Sequence, residues 1–218
     1  NLVLLISKVG NLKRNLRRDL QASLAAHESA LKIAQDIVDH PKAAADGKGL
    51  LPVYLARTLL ADTHTDLGAT WYRLGDPQQA LTHLELALSL RQQAIRDFEL
   101  DTEVATWPDE DKSAERDYLL SDLQFKKLGT GAAFFRAGRF SDAEPLLKEV
   151  YSQSRTALDA DPSNPRLRND YVGEAGLWAE FLGFSGRGEE ALAVLELAGK
   201  HIDQLLADDP AGVTFRRT

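Results

Sequence analysis

The side chains able to do chemistry are few and are poorly spaced for it. Five histidines occur, His27, His40, His64, His83 and His201, and none has a second histidine three or four residues away. Cysteine is absent, which removes disulfides, thiolate ligands and thiol nucleophiles together. His27-Glu28 opens like the metalloprotease pattern, but Leu31 stands where the second histidine ligand belongs. Each histidine is therefore expected as a satisfied surface or groove residue. Gly183-Phe184-Ser185-Gly186 approaches a nucleophile turn, yet Arg187 replaces the closing glycine and no strand precedes it. Gly129-Thr130-Gly131 lacks the strand and third glycine of a dinucleotide loop, and no Gly-Lys-Ser or Gly-Lys-Thr is present. Glu189-Glu190 and Asp208-Asp209 fall at expected helix ends, where carboxylates cap or meet the dipole. The expectation is no enzyme: no catalytic residue, no cofactor site and no metal site.

Composition narrows the class of partner. Of 218 residues, 44% are hydrophobic and 27% charged, enough apolar material for a packed core. The formal net charge of -7 repels phosphate backbones, so nucleic acid is not an expected partner. One segment runs against that sign: Lys8, Lys13, Arg14, Arg17 and Arg18 all precede the first acid, Asp19. It reads either as a solvated helix face or as a docking surface for an acidic partner. The longest purely apolar run, Leu2 to Ile6, is far below the roughly 20 residues of a membrane span, so no membrane association is expected. Together with the missing cysteine and signal-peptide pattern, this suits a cytoplasmic chain. Asn1 in place of methionine suggests a piece of a longer polypeptide.

The strongest signal is internal repetition. Gly68, Gly75 and Ala80 are spaced by 7 and then 5 residues, as are Gly131, Gly138, Ala143 and Ala179, Gly186, Ala191. A large apolar residue follows each alanine by 4 (Leu84, Leu147, Leu195), and Ala87, Val150 or Ala198 follows by 7. Two copies close alike, with Pro162 and Pro210 each 19 residues after the alanine. A small first residue lets two helices approach. The middle glycine ends the first helix, and the alanine sits where the second helix crosses it. Helix starts are marked by Asp76-Pro77-Gln78-Gln79 and by a capping box at Ser141-Asp142-Ala143-Glu144.

Leu67-Gly68-x-x-Trp71, then Ala80-x-x-x-Leu84 and Ala87, resembles the tetratricopeptide repeat, which places Leu-Gly, an aromatic and Ala in that order. The second copy keeps Gly131, Phe134, Ala143 and Leu147; the third keeps Trp178, Leu182, Ala191 and Leu195, with Ala179 in place of glycine. The usual repeat is about 34 residues long, whereas here Ala80, Ala143 and Ala191 are 63 and 48 residues apart. The units are therefore similar to the long-helix variants attached to bacterial serine/threonine kinases. An N-terminal stretch, with Val9-Gly10-Asn11 and Ser23-Leu24-x-x-His27, is a weaker copy lacking the turn glycine. It reads as a helix pair or as one continuous helix.

The resemblance implies an all-α fold: an α-α superhelix, or solenoid, of about four antiparallel helix pairs in a single domain over 1–218. The pairs are expected at about 1–41, 50–100, 112–161 and 164–208, with helices at 2–17, 20–39, 50–74, 77–99, 113–137, 142–160, 165–185 and 189–207. The segments 40–49 and 101–111 are expected as long loops, and 211–218 as a tail. Trp107, flanked by acids, is expected to anchor its loop rather than capture a partner.

The resemblance also implies function: a protein–protein interaction module holding a peptide or protein segment in its concave groove. The expected groove residues are Asp66, Tyr72 and Arg73, then Phe135 and Arg136, then Glu180 and Phe184. Arg73 and Arg136 are equivalent and suited to a carboxylate or phosphoryl group. Asp62, Thr65, Asp66 and Ala69 do not match the family's clamp for chaperone C-termini. Two alternatives remain: a regulatory domain docking in cis on an attached catalytic domain such as a kinase, and a self-associating scaffold.

Overall fold

A computed structural model describes residues 2–17, 19–40 and 51–208. The expected loop at 40–49, except for His40, lies outside the described residues, as do the 211–218 tail and Asp209-Pro210. Eight α-helices follow one another among the described residues, with no strand between them. They are α1 (Leu2–Leu12), α2 (Leu20–Asp39), α3 (Val53–Leu74), α4 (Pro77–Leu100), α5 (Asp109–Arg136), α6 (Phe140–Ala160), α7 (Pro165–Phe184) and α8 (Gly188–Asp208). The chain divides into two compact units, residues 1–133 and 134–218.

Three turns join helices in the same way. Gly75, Gly138 and Gly186 have φ of 84°, 75° and 78°, the left-handed region that glycine enters at least cost. In each turn the next N–H reaches back to a carbonyl five residues earlier: Asp76 to Trp71 at 3.1 Å, Arg139 to Phe134 at 2.9 Å and Arg187 to Leu182 at 2.9 Å. This closes the helix with its end carbonyls satisfied. Asp76 then caps α4 by accepting from the Gln79 N–H at 3.0 Å, with Pro77 in the first turn. The capping box expected at Ser141 does not form. The tight turn after Gly138 starts α6 at Phe140, directly off the Arg139 carbonyl, so Ser141 is already inside the helix. Arg139 instead pairs with Asp142 at 2.7 Å.

The N-terminal stretch resolves as two helices. Without a turn glycine, α1 widens into a π-helical turn over Lys13–Arg17. Asp19 then caps α2 by accepting from the Ala22 N–H at 3.0 Å. The expected loop at 101–111 is shorter than anticipated, because α5 begins at Asp109 and places Asp109, Glu110 and Asp111 in its first turn, where the dipole favours them. Trp107 packs edge-on against Phe98 with ring centroids 6.4 Å apart, the anchoring role expected of it.

Pairs pack antiparallel: Tyr54 at the start of α3 meets Phe98 at the end of α4, with centroids 5.1 Å apart. In the second unit Tyr171 near the start of α7 likewise meets His201 near the end of α8 at 5.3 Å. Small residues govern how close the helices come. A Cβ on Gly68 would lie 2.8 Å from Leu84 Cγ and 3.2 Å from the Ala80 carbonyl oxygen, and one on Gly10 would lie 2.5 Å from the His27 ring. Ala80, Ala143 and Ala191 are buried at the crossings, as their spacing predicts.

Candidate protein-docking surface

The seven expected groove residues have different fates. In the first unit Asp66 is committed internally. Its carboxylate accepts from Asn11 Nδ2 at 3.3 Å and pairs with Arg14 at 3.6 Å. Burial raises its pKa above the usual carboxylate range, against the lowering effect of Asn11 and Arg14. Arg73 donates to the Arg14 carbonyl at 3.3 Å and to Asn15 Oδ1 at 3.0 Å, so it braces the π-helical turn. Tyr72 is exposed. Arg14 is thus a structural cation and not part of a solvated basic face.

In the second unit three of the expected residues come together. Phe135 is buried rather than exposed, and its ring lies 5.6 Å from Phe184, 5.7 Å from Phe181 and 5.8 Å from Phe140. Phe184 rests on this aromatic base yet is 73% exposed. Beside it runs a groove between α7 and α8. Gly176, Ala179, Glu180, Gly183 and Phe184 form its α7 side, and Ala191 and Leu195 its α8 side. A Cβ on Gly176 or Gly183 would meet nothing within 4 Å, so the floor is open. Glu180 is exposed and supplies the groove's charge. Arg136 is exposed at the end of α5.

Several polar groups escaped sequence reasoning because they gather mainly across helices. Arg91 is fully buried, donates to Thr58 Oγ1 at 2.8 Å, and pairs with Asp62 at 3.1 Å and Asp122 at 2.6 Å. Lys126, also buried, bridges the same two carboxylates at 2.8 and 2.9 Å. Two cations thus neutralise two anions, as burial of charge demands.

The histidines correct an expectation. His27 is fully buried, with neither ring nitrogen hydrogen-bonded and Asp66 3.9 Å away. His64 and His83 face each other with Nδ1 atoms 2.9 Å apart. His201 Nδ1 is buried without a partner. Burial pushes the pKa of His27 down to about 4, with nearby Arg14 adding to the effect. His64 is pushed down to about 4 by burial and by His83. All are consequences of helix crossing, which spacing along one helix does not reveal.

Among the described residues no group of three or more histidine, cysteine, aspartate or glutamate side chains is placed to hold a metal ion. No described helix is long and apolar enough to cross a membrane. The arrangement is that of paired helices presenting side chains outward.

Residues 60–95, from within α3 to within α4, match the family model of the tetratricopeptide repeat. A search among curated proteins finds no match. Residues 60–95 therefore form a tetratricopeptide repeat, and repeats of this kind serve in general as protein–protein interaction modules.

Proposed function

We propose that the chain binds a segment of another protein on the α7–α8 groove of its second unit. Phe184 is the anchor, and Glu180 selects a partner carrying a basic residue. The observation that carries this reading is Phe184 itself: a large aromatic left 73% exposed while its ring is held in place by Phe135. Rigid aromatic anchors beside desolvated pockets dominate binding energy at protein interfaces. Leu195 and the open glycine floor of the groove leave room for apolar side chains of the partner. Asp66 and Arg73 are engaged in internal bonds and are poorly suited to contact a ligand.

The test is retention of fluorescent amphipathic peptides bearing a lysine beside an apolar stripe, followed by anisotropy. Phe184→Ala is expected to weaken binding at least about tenfold, the scale of a lost aromatic anchor. Glu180→Lys should shift preference toward acidic peptides. Arg73→Glu should leave affinity unchanged. Equal binding by the native chain and the Phe184→Ala variant would sink the reading.

A further inference from the structure

The first unit shows how one helix seats on a preceding helix pair. There, α3 seats on the preceding pair, α1 and α2. Leu60 shares one apolar cluster with Ala34. Asp66 accepts from Asn11 at 3.3 Å. Thr70 Oγ1 lies 3.5 Å from Ser23 Oγ.

The repeat carries each of these positions elsewhere. Gly10 of α1 is equivalent to Gly68 of α3, so Leu60, Asp66 and Thr70 correspond to Leu2, Lys8 and Leu12. Gly10 is likewise equivalent to Ala179 of α7, so Asn11 corresponds to Glu180. His27 covers Gly10 as Leu84 covers Gly68, and Leu84 is equivalent to Leu195. Ser23 and Ala34 of α2 therefore correspond to Ala191 and Ile202 of α8.

Transposed in this way, each of these three pairs changes both of its members together. The Asp66–Asn11 contact becomes Lys8 with Glu180, a basic residue facing an acidic one. The Thr70–Ser23 contact becomes Leu12 with Ala191, and Leu60 with Ala34 becomes Leu2 with Ile202. In these three pairs no polar group is set against an apolar one, while the Arg73–Asn15 contact of the same junction becomes Asn15 beside Phe184. Leu2, Leu12 and Ile202 are 60%, 56% and 41% exposed. Lys8 and Glu180 are exposed and have no ion-pair partner among the described residues. The surrounding charge agrees. The segment from Leu2 to Arg17 contains four basic residues and no acid, whereas Glu189, Glu196 and Asp203 recur every seven residues along one edge of α8.

We propose that α1 of one copy docks in the α7–α8 groove of a second copy, in the register that α3 adopts on α1 and α2, so that copies join head to tail. The proposal rests on the reading of that groove as a docking face and names its occupant. Such an interface is heterologous, so copies add in open chains unless the rotation closes a ring.

Sedimentation velocity tests it directly. The native chain is expected to grow beyond its 24.0 kDa monomer with concentration, and to do so less at high salt. Lys8→Glu with Leu12→Glu blocks one face; Glu180→Lys with Ile202→Glu blocks the other. Each double variant alone should remain monomeric, and an equimolar mixture should form a one-to-one dimer and stop there, because one intact face of each kind remains. Lys8→Glu and Glu180→Lys placed together in one chain should restore the association that either reversal alone weakens. A native chain that is monomeric at every concentration overturns the proposal, as does association that survives the groove block. If the chain is monomeric while its groove still binds peptides through Phe184, self-docking fails and the functional reading stands.

Discussion

At the scale of single residues, the first unit is held by charges that water does not reach. Removing Arg91 leaves Asp62 and Asp122 with Lys126 as their one remaining buried cation among the described residues. Breaking a buried pair in this way costs about 3–5 kcal/mol, so Arg91→Ala is expected to lower the urea-unfolding free energy by that amount. A loss below about 1 kcal/mol, the range of a surface pair, would show that water screens the cluster. The histidines add a pH dependence. An unfolded histidine titrates near 6.5, whereas His27 and His64 are held neutral down to about 4. Between those values the unfolded chain binds more protons than the folded one, so stability falls as pH drops from about 7 toward about 4. Asp66, raised by burial, acts in the opposite direction over the acidic part of that range. His27→Leu, the side-chain type of the equivalent Leu84 and Leu195, is expected to flatten the slope of the denaturation midpoint between pH 7 and pH 5. An unchanged slope would mean that His27 is protonated in the fold as readily as in the unfolded chain.

At the scale of elements, glycine has two opposite roles in the first helices of two different pairs. Gly68 is a point of closest approach, and a methyl group there would collide with Leu84 and the Ala80 carbonyl. Gly68→Ala is expected to destabilise the α3–α4 pair by about 1–3 kcal/mol. Gly176, inside α7, faces open space. Gly176→Ala should therefore stabilise the second unit by up to about 1 kcal/mol through helix propensity, while raising the groove floor and weakening what docks there. Thermal unfolding and peptide anisotropy on the two variants separate these effects. A Gly176→Ala chain with tighter peptide binding would contradict the open-floor reading. The turns teach a related lesson. Where Gly75, Gly138 and Gly186 stand, the helix ends within a residue or two of the predicted place. Where the glycine is missing, the break needs a π-helical turn and the Asp19 cap instead.

At the scale of the whole molecule, function is a matter of which helix faces remain uncovered. Net charge of -7 is unevenly spread, with basic residues between Lys8 and Arg17 near the start and an acidic last helix. That polarity is the charge complementarity on which the proposed docking of one copy on another rests. The repeat spacing was legible in the sequence because helix ends, crossing alanines and the first cap are local events, governed by glycine conformation and by side chains a few residues apart. Accordingly, the eight helices and the tetratricopeptide repeat at 60–95 could be read from the sequence. The site was only partly legible. Phe184 and Glu180 were recognisable as outward positions on α7. That Phe135 lies beneath Phe184, that Asp66 and Arg73 are engaged internally, and that His27 and Arg91 are sealed from water depended on partners 17 to 59 residues away in the chain. The sequence by itself determined the helices and their pairing, because those follow from near-neighbour chemistry. The tertiary structure alone decided which side chains are spent on packing and which are left for a partner, because burial belongs to the crossing of helices and not to any one of them.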